Sequence, residues 1–352
     1  MRLHEVDAQD ERSPGVDLAP FGLAVGHATD ADGATGLTVV RGVDAPLRAA
    51  AAVVGRATGT RELDALDPAH LVGRIDALVL TGGSAYGLEA AGGVMRWMEE
   101  RGRGFDVGAG VVPIVPAAVI FDLAPLGRFD ARPTPAMAYA AADAARAAGF
   151  AEGSVGVGTG ATVGKGLGPA GAMKGGFGCA LAGTPDGLAV AAMAAVNAFG
   201  DVRDAAGRIL AGARAADGGF ADTRALALAA ATAAPRFLAG PAAAGHHTTL
   251  CVVAANRPLS RLALRQLATA ATAALHRRIT PTGTSFDGDV VFALSPMPMA
   301  GDTEAAPLEL LAAEGLAVEA LERAIERAVR LARGRDGIRG LADDAPPAPA
   351  PR

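Results

Sequence analysis

Hydrophobic positions along the chain fall into short apolar runs divided by glycine-rich or charged segments, a pattern of buried strands more than of long amphipathic helices. Residues 75–80 (IDALVL) break into Thr81-Gly82-Gly83-Ser84-Ala85-Tyr86-Gly87-Leu88, which predicts a buried strand, a glycine turn and a helix through about Glu100. Residues 111–115 predict a second short buried strand, and alanine-rich 134–148 a helix ended by Gly149. Residues 188–196 (LAVAAMAAV) predict a small-residue strand running into Asn197, and 205–233 an alanine-rich helical or partly mobile stretch. After a Pro/Gly/Ala-rich linker at 235–245 come a compact strand at 249–255, a helix at 259–275 and a strand at 290–294. Leu316, Leu321, Ile325 and Val329 mark a last helix, with Glu322/Arg323 and Glu326/Arg327 on its wet side. Residues 343–352 read as a disordered tail.

Residues 153–178 (GSVGVGTGATVGKGLGPAGAMKGGFG) fit no helix, since each interior glycine costs about 0.5–1 kcal/mol against alanine. The segment is expected to lie as bare backbone against other backbone. Composition extends this to the whole chain: 85 alanines and 47 glycines in 352 residues, against one Trp and two Tyr, call for tightly stacked layers. A net charge of −5 leaves no basic stripe for a phosphate backbone, so nucleic acid is excluded as a partner. Two cysteines are too few for a disulfide framework. The first residues carry no apolar h-region and no window spans a membrane, so a soluble, cytoplasmic protein without a membrane partner is expected.

Familiar cofactor motifs fail on inspection. Around Gly164-Lys165 a phosphate loop needs glycine at 159 and a hydroxyl at 166, where Thr159 and Gly166 stand. Gly156 to Gly160 reads GxGxG, not the dinucleotide GxGxxG, and Ser84 lacks the closing glycine of a nucleophile elbow. His246-His247 has no third ligand at a metal-site interval, so neither metal nor cofactor is expected, and Cys251 reads as inert packing within a strand. What remains is Gly245-His246-His247-Thr248-Thr249-Leu250. Either the threonines merely start a strand, or the chain is cut before a threonine, whose new α-amino group would be a base for its own hydroxyl. Downstream, Asp287-Gly288-Asp289 is either an acidic turn or a pair of carboxylates turned to one site.

Taken jointly, several blocks resemble the DmpA-type self-processing aminopeptidases, a family that includes β-aminopeptidases and nylon-oligomer hydrolases. They are Gly36 to Val40, Gly59-Thr60-Arg61-Glu62, Leu80 to Leu88, Gly158-Thr159-Gly160-Ala161, Lys174-Gly175-Gly176, Val196-Asn197-Ala198-Phe199-Gly200-Asp201, His247-Thr248-Thr249-Leu250 and Asp287-Gly288-Asp289. The resemblance implies an α/β fold, a four-layer αββα sandwich of the DmpA/ornithine acetyltransferase type, similar to N-terminal-nucleophile hydrolases. It implies scission between His247 and Thr248 into an α chain 1–247 and a β chain 248–352 that stay together as one domain and assemble as a homo-oligomer. It also assigns Thr248 as nucleophile, Asn197 as oxyanion donor, Asp287 and Asp289 as supports of the nucleophile, Lys165 as the neighbouring lysine and Lys174 as second choice for that place. His247 stands where the family usually has Asn, a departure that bears on the rate of scission; residues 116–123 resemble the nylon-oligomer hydrolase branch and lack the tyrosine of the aminopeptidase branch, which tilts the resemblance toward ω- or β-amino-acid amides. The implied partner is a small peptide or amide. An acetyltransferase of the ornithine type and a scaffold that never cuts are the alternatives.

Overall fold

Strands that are apolar on both faces must be covered on both sides. Among the described residues, ten strands form two sheets that share one interior. In chain order they are β1 (Leu23–Asp30), β2 (Thr35–Gly42), β3 (Leu47–Val53), β4 (Thr60–Arg61), β5 (Ala77–Thr81), β6 (Ala117–Val119), β7 (Gly176–Gly183), β8 (Ala189–Asn197), β9 (Thr248–Ala255) and β10 (Val290–Pro296). The structure, a computed structural model, describes residues 16–232, 247–299 and 305–344. The first sheet runs β1-β2-β5-β6-β4 and the second β7-β8-β9-β10-β3. Each holds one parallel pair, β5/β6 and β9/β10, among antiparallel neighbours. Parallel neighbours need a crossover, and each crossover carries a helix: α1 (Ala91–Glu99) after β5 and α4 (Arg261–Arg278) after β9. The remaining α-helices among the described residues are α2 (Pro135–Ala144), α3 (Thr223–Thr232) and α5 (Pro307–Arg330).

Alternation along the strands divides the interior. In β8, Val190, Ala192, Ala194 and Val196 pack with α4 and α5 residues such as Leu267 and Leu321, while Ala191, Met193 and Ala195 pack with Leu78, Leu80 and Val40 of the facing sheet. On the far side, Val39 and Val79 meet Val94, Trp97 and Ala138 of α1 and α2. The result is the expected αββα sandwich. Its glycines and alanines are explained by the approach of α5 to β7, where a Cβ on Gly178 would lie 2.2 Å from the carbonyl oxygen of Ala324. Cys179 and Cys251 are both buried within these layers.

Several expectations need correction. The buried strand near residue 111 is displaced: Val111–Val112 only pairs with Phe105–Asp106 at the surface, and the buried strand is β6. Pro113 and Pro116 lack the amide donors a central strand requires, which moves pairing beyond them. The helix expected to Gly149 stops at Ala144, because Arg146 leaves it to pair with Val25 of β1. Residues 205–233 are helical only in α3; before it, Asp201–Arg203 and Ile209–Ala211 form a hairpin turned at Gly207. The supposed wet side of α5 is partly buried, since Arg278 of α4 reaches both Glu322 (2.9 Å) and Glu326 (3.0 Å), and Arg327 pairs with Glu152. At the C-terminal end Asp343 accepts bonds from the Gly334 and Gly340 amides at 2.8 and 2.9 Å, so it belongs to the folded body. The linker at 235–245 and residues 345–352 lie outside the described residues.

Candidate active site

Thr248 is the first residue of β9, at the centre of the second sheet, and stands opposite Asn197, the last residue of β8. Both are buried. A strand end is where a side chain can face a cleft while its backbone stays paired, and Thr248 opens on a cleft of about 160 Å³. The other lining residues are Ala57, Thr58, Gly59, Ser84, Ala85, Val119 and Phe121, all uncharged.

The Asn197 amide is oriented by three bonds. Its Oδ1 accepts from the Thr162 amide at 3.1 Å and from Lys165 Nζ at 2.9 Å, and its Nδ2 donates to the Phe121 carbonyl at 3.0 Å. Its nitrogen therefore lies on the Phe121 side, the wall shared with Thr248. Lys165 Nζ also donates to the Asn197 carbonyl at 3.2 Å. The lysine backbone is held by its amide on the Phe199 carbonyl at 2.9 Å. Burial draws the Lys165 ammonium down to about 7, against the opposing pull of Asp287.

Asp287 and Asp289 flank Gly288 in the turn before β10. Asp287 Oδ2 accepts the Thr284 amide at 2.8 Å. Asp289 accepts from the Thr249 amide at 2.6 Å through Oδ1, and from Thr282 Oγ1 and the Gly283 amide at 2.8 and 3.0 Å through Oδ2. Burial raises the pKa of both carboxyls, and for Asp289 the charge of Asp287 adds to it. Asp289 thus touches β9 directly at Thr249. His247, before Thr248, is buried with its ring 5.0 Å from that of Phe199.

Lys174 is elsewhere in role. Fully buried, its Nζ donates to the carbonyls of Ala161 (2.7 Å), Thr159 (2.8 Å) and Gly158 (3.3 Å), tying together the glycine-rich segment. Of the two lysines, only Lys165 bonds Asn197 among the contacts described. Sequence reasoning missed Asp122, a buried carboxyl whose oxygens accept from Thr35 Oγ1 and the Gly83 amide at 2.7 Å each. It anchors the Gly82-Gly83-Ser84 turn that forms one wall of the cleft; burial lifts its pKa to about 6. The signal available was an acid inside an apolar segment, residues 116–123. Ser84 opens the short 3-10 helix Ser84–Ala90 with φ of +52°, and it also lines the cleft. Among the described residues no group of three His, Cys, Asp or Glu is placed to hold a metal ion, and no helix is long and apolar enough to cross a membrane.

With this geometry, comparison with known proteins places the chain. It belongs to peptidase family S58, whose profile matches residues 19–342. An uncharacterised aminopeptidase of Mycobacterium bovis is 45% identical over 256 residues, 71% of this chain and 70% of the relative. A 6-aminohexanoate-oligomer endohydrolase of Agromyces sp. is 30% identical over 300 residues, 82% of this chain and 78% of the relative. Among solved structures, a Burkholderia sp. β-aminopeptidase superposes with a TM-score of 0.67 at 20% identity, covering 94% of this chain and 92% of its own. The L-aminopeptidase D-Ala-esterase/amidase of Ochrobactrum anthropi, described as a variant of the Ntn hydrolase fold, gives 0.66 at 19%, covering 91% and 87%. At such identities these two speak for the fold alone. The chain is a hydrolase of peptide or amide bonds, and membership of a peptidase family disfavours the acetyltransferase alternative.

Proposed function

We propose that the protein is an N-terminal-threonine amidohydrolase, matured by its own cut between His247 and Thr248, that opens small amides through an acyl-enzyme on Thr248. The observation that carries this reading is the position of Thr248, at a central strand end, facing the cleft and paired with an Asn197 whose amide is already oriented. In the mature enzyme the Thr248 α-amine accepts the hydroxyl proton, Asn197 Nδ2 stabilises the oxyanion, and Lys165 with Asp287 and Asp289 sets the charge around the nucleophile. Scission would leave β9 and β10 in the new chain, each still paired with a strand of the other chain, β8 and β3. The two halves are therefore expected to stay together.

A cleft of about 160 Å³ walled by uncharged side chains suits an unbranched acyl chain, as in β- or ω-amino-acid amides, and the endohydrolase relative acts on 6-aminohexanoate oligomers. The reading includes a cytoplasmic homo-oligomer of αβ units, to be checked by cell fractionation and sedimentation of the mature protein. The direct test is Thr248→Ala, which should remain one species near 34.9 kDa and hydrolyse neither β-alanyl nor 6-aminohexanoyl amides. Two fragments from that variant would refute the cut site.

A further inference from the structure

The turn that carries the two aspartates also grips the bond to be cut. The Gly288 amide donates to the carbonyl oxygen of His247 at 2.8 Å, and His247 and Asp287 form an isolated parallel bridge below the β9/β10 ladder. Immediately beyond, the Thr249 amide takes the Asp289 carboxylate instead of a backbone carbonyl. The nucleophile therefore sits in an interruption of the ladder, with a donor on its upstream carbonyl. The turn is itself pinned, by the Ala57 amide on the Asp287 carbonyl (2.9 Å) and the Val54 amide on that of Asp289 (2.9 Å). A Cβ on Gly288 would lie 2.6 Å from Thr248 Oγ1, so the hydroxyl lies directly against this glycine.

Building on the proposed cut before Thr248, we propose that the Gly288 backbone N–H is the oxyanion donor of self-scission, a different group from the Asn197 amide assigned to substrate turnover. Thr248 Oγ1 adds to the His247 carbonyl carbon while the C=O electron pair moves onto the oxygen that Gly288 N–H holds. Collapse breaks the His247–Thr248 C–N bond, and the hydroxyl proton ends on the Thr248 nitrogen. Water then hydrolyses the resulting ester, leaving the His247 carboxyl and restoring the Thr248 hydroxyl. A donor fixed by a clamped turn needs no reorganisation as charge develops, which is the condition for a large effect.

The test replaces Gly288 with glycolic acid by stop-codon translation of the full chain, turning the N–H into an ester oxygen with no added side chain. Scission should slow about 10²–10³-fold, the usual cost of one oxyanion donor. Once cut, the variant's turnover per free threonine terminus should stay within a few-fold of wild type. A scission rate within twofold of wild type, or turnover falling as far as scission, would overturn the proposal. A measurement that needs no ester supports the same decision: in uncut Thr248→Ala protein the Gly288 amide hydrogen should be protected from exchange, and rapid exchange there would also overturn it. Failure of the underlying cut site shows separately, as fragments from Thr248→Ala.

Discussion

Replacing Lys174 with Met separates the lysine that ties the glycine-rich segment together from Lys165, which bonds the Asn197 side chain. Lys174 makes two short bonds and one longer bond to buried carbonyls. Leaving the two best-bonded carbonyls unsatisfied costs about 1–3 kcal/mol each, or roughly 2–6 kcal/mol together. Against this stands a gain. Burial lowers the Lys174 pKa from 10.5 to about 7. Between those values the unfolded chain holds a proton that the folded chain has released, so this lysine's contribution to stability rises with pH and is lowest below about 7. Methionine removes that pH-dependent penalty, which amounts to about 1.4 kcal/mol per pH unit. At pH 10 the penalty is small, so Lys174→Met should be destabilised by about 3 kcal/mol. The deficit should shrink by about 1.4 kcal/mol per unit as pH falls, vanish at about pH 8 and reverse below it. Urea unfolding of both proteins in the uncut Thr248→Ala background reads this directly. With Thr248 intact, the folded Lys174→Met protein should still cut itself, whereas Lys165→Met should cut itself only slowly. Equal stability at pH 10, or a deficit that widens toward pH 7, would refute the reasoning.

Other expectations concern the site. Because the Lys165 ammonium titrates near 7, the scission rate should rise with pH through about 7 as the neutral amine forms and then level off; the limb should vanish in Lys165→Met, and a wild-type rate flat from pH 6 to 8 would exclude a role for this amine. Asn197→Ala should lower kcat of the mature enzyme by about 10²–10³ with little change in KM. Steady-state kinetics on a 6-aminohexanoyl amide checks it, and an unchanged kcat removes Asn197 from the oxyanion site.

Much of the architecture was legible in the chain. The runs at 75–80, 188–196, 249–255 and 290–294 each became a central strand, because strands covered on both faces must be continuously apolar. The crowding of glycine and alanine foretold that helices and strands meet backbone to backbone, as Gly178 and Ala324 do. Local pattern misled where a long-range partner decided the outcome. Arg146 left a helical alanine run for a bridge to Val25, and Glu322 and Glu326 turned from solvent to Arg278.

The candidate chemistry divides in the same way. Motif blocks named Thr248, Asn197, Lys165, Asp287 and Asp289 from residue type and family resemblance alone. Their meeting is a property of sheet register: β8 ends where β9 begins, and the parallel step from β9 to β10 sets the aspartate turn against the carbonyl of His247, just before Thr248. Sequence ranked the two lysines only by resemblance, because both lie among glycines; tertiary structure distinguishes them by what each amine reaches, the Asn197 side chain or a ring of carbonyls. The Gly288 amide carries no side-chain signature at all. A backbone donor becomes visible only when the fold supplies its acceptor, and here that acceptor lies 41 positions earlier, on the bond proposed to break.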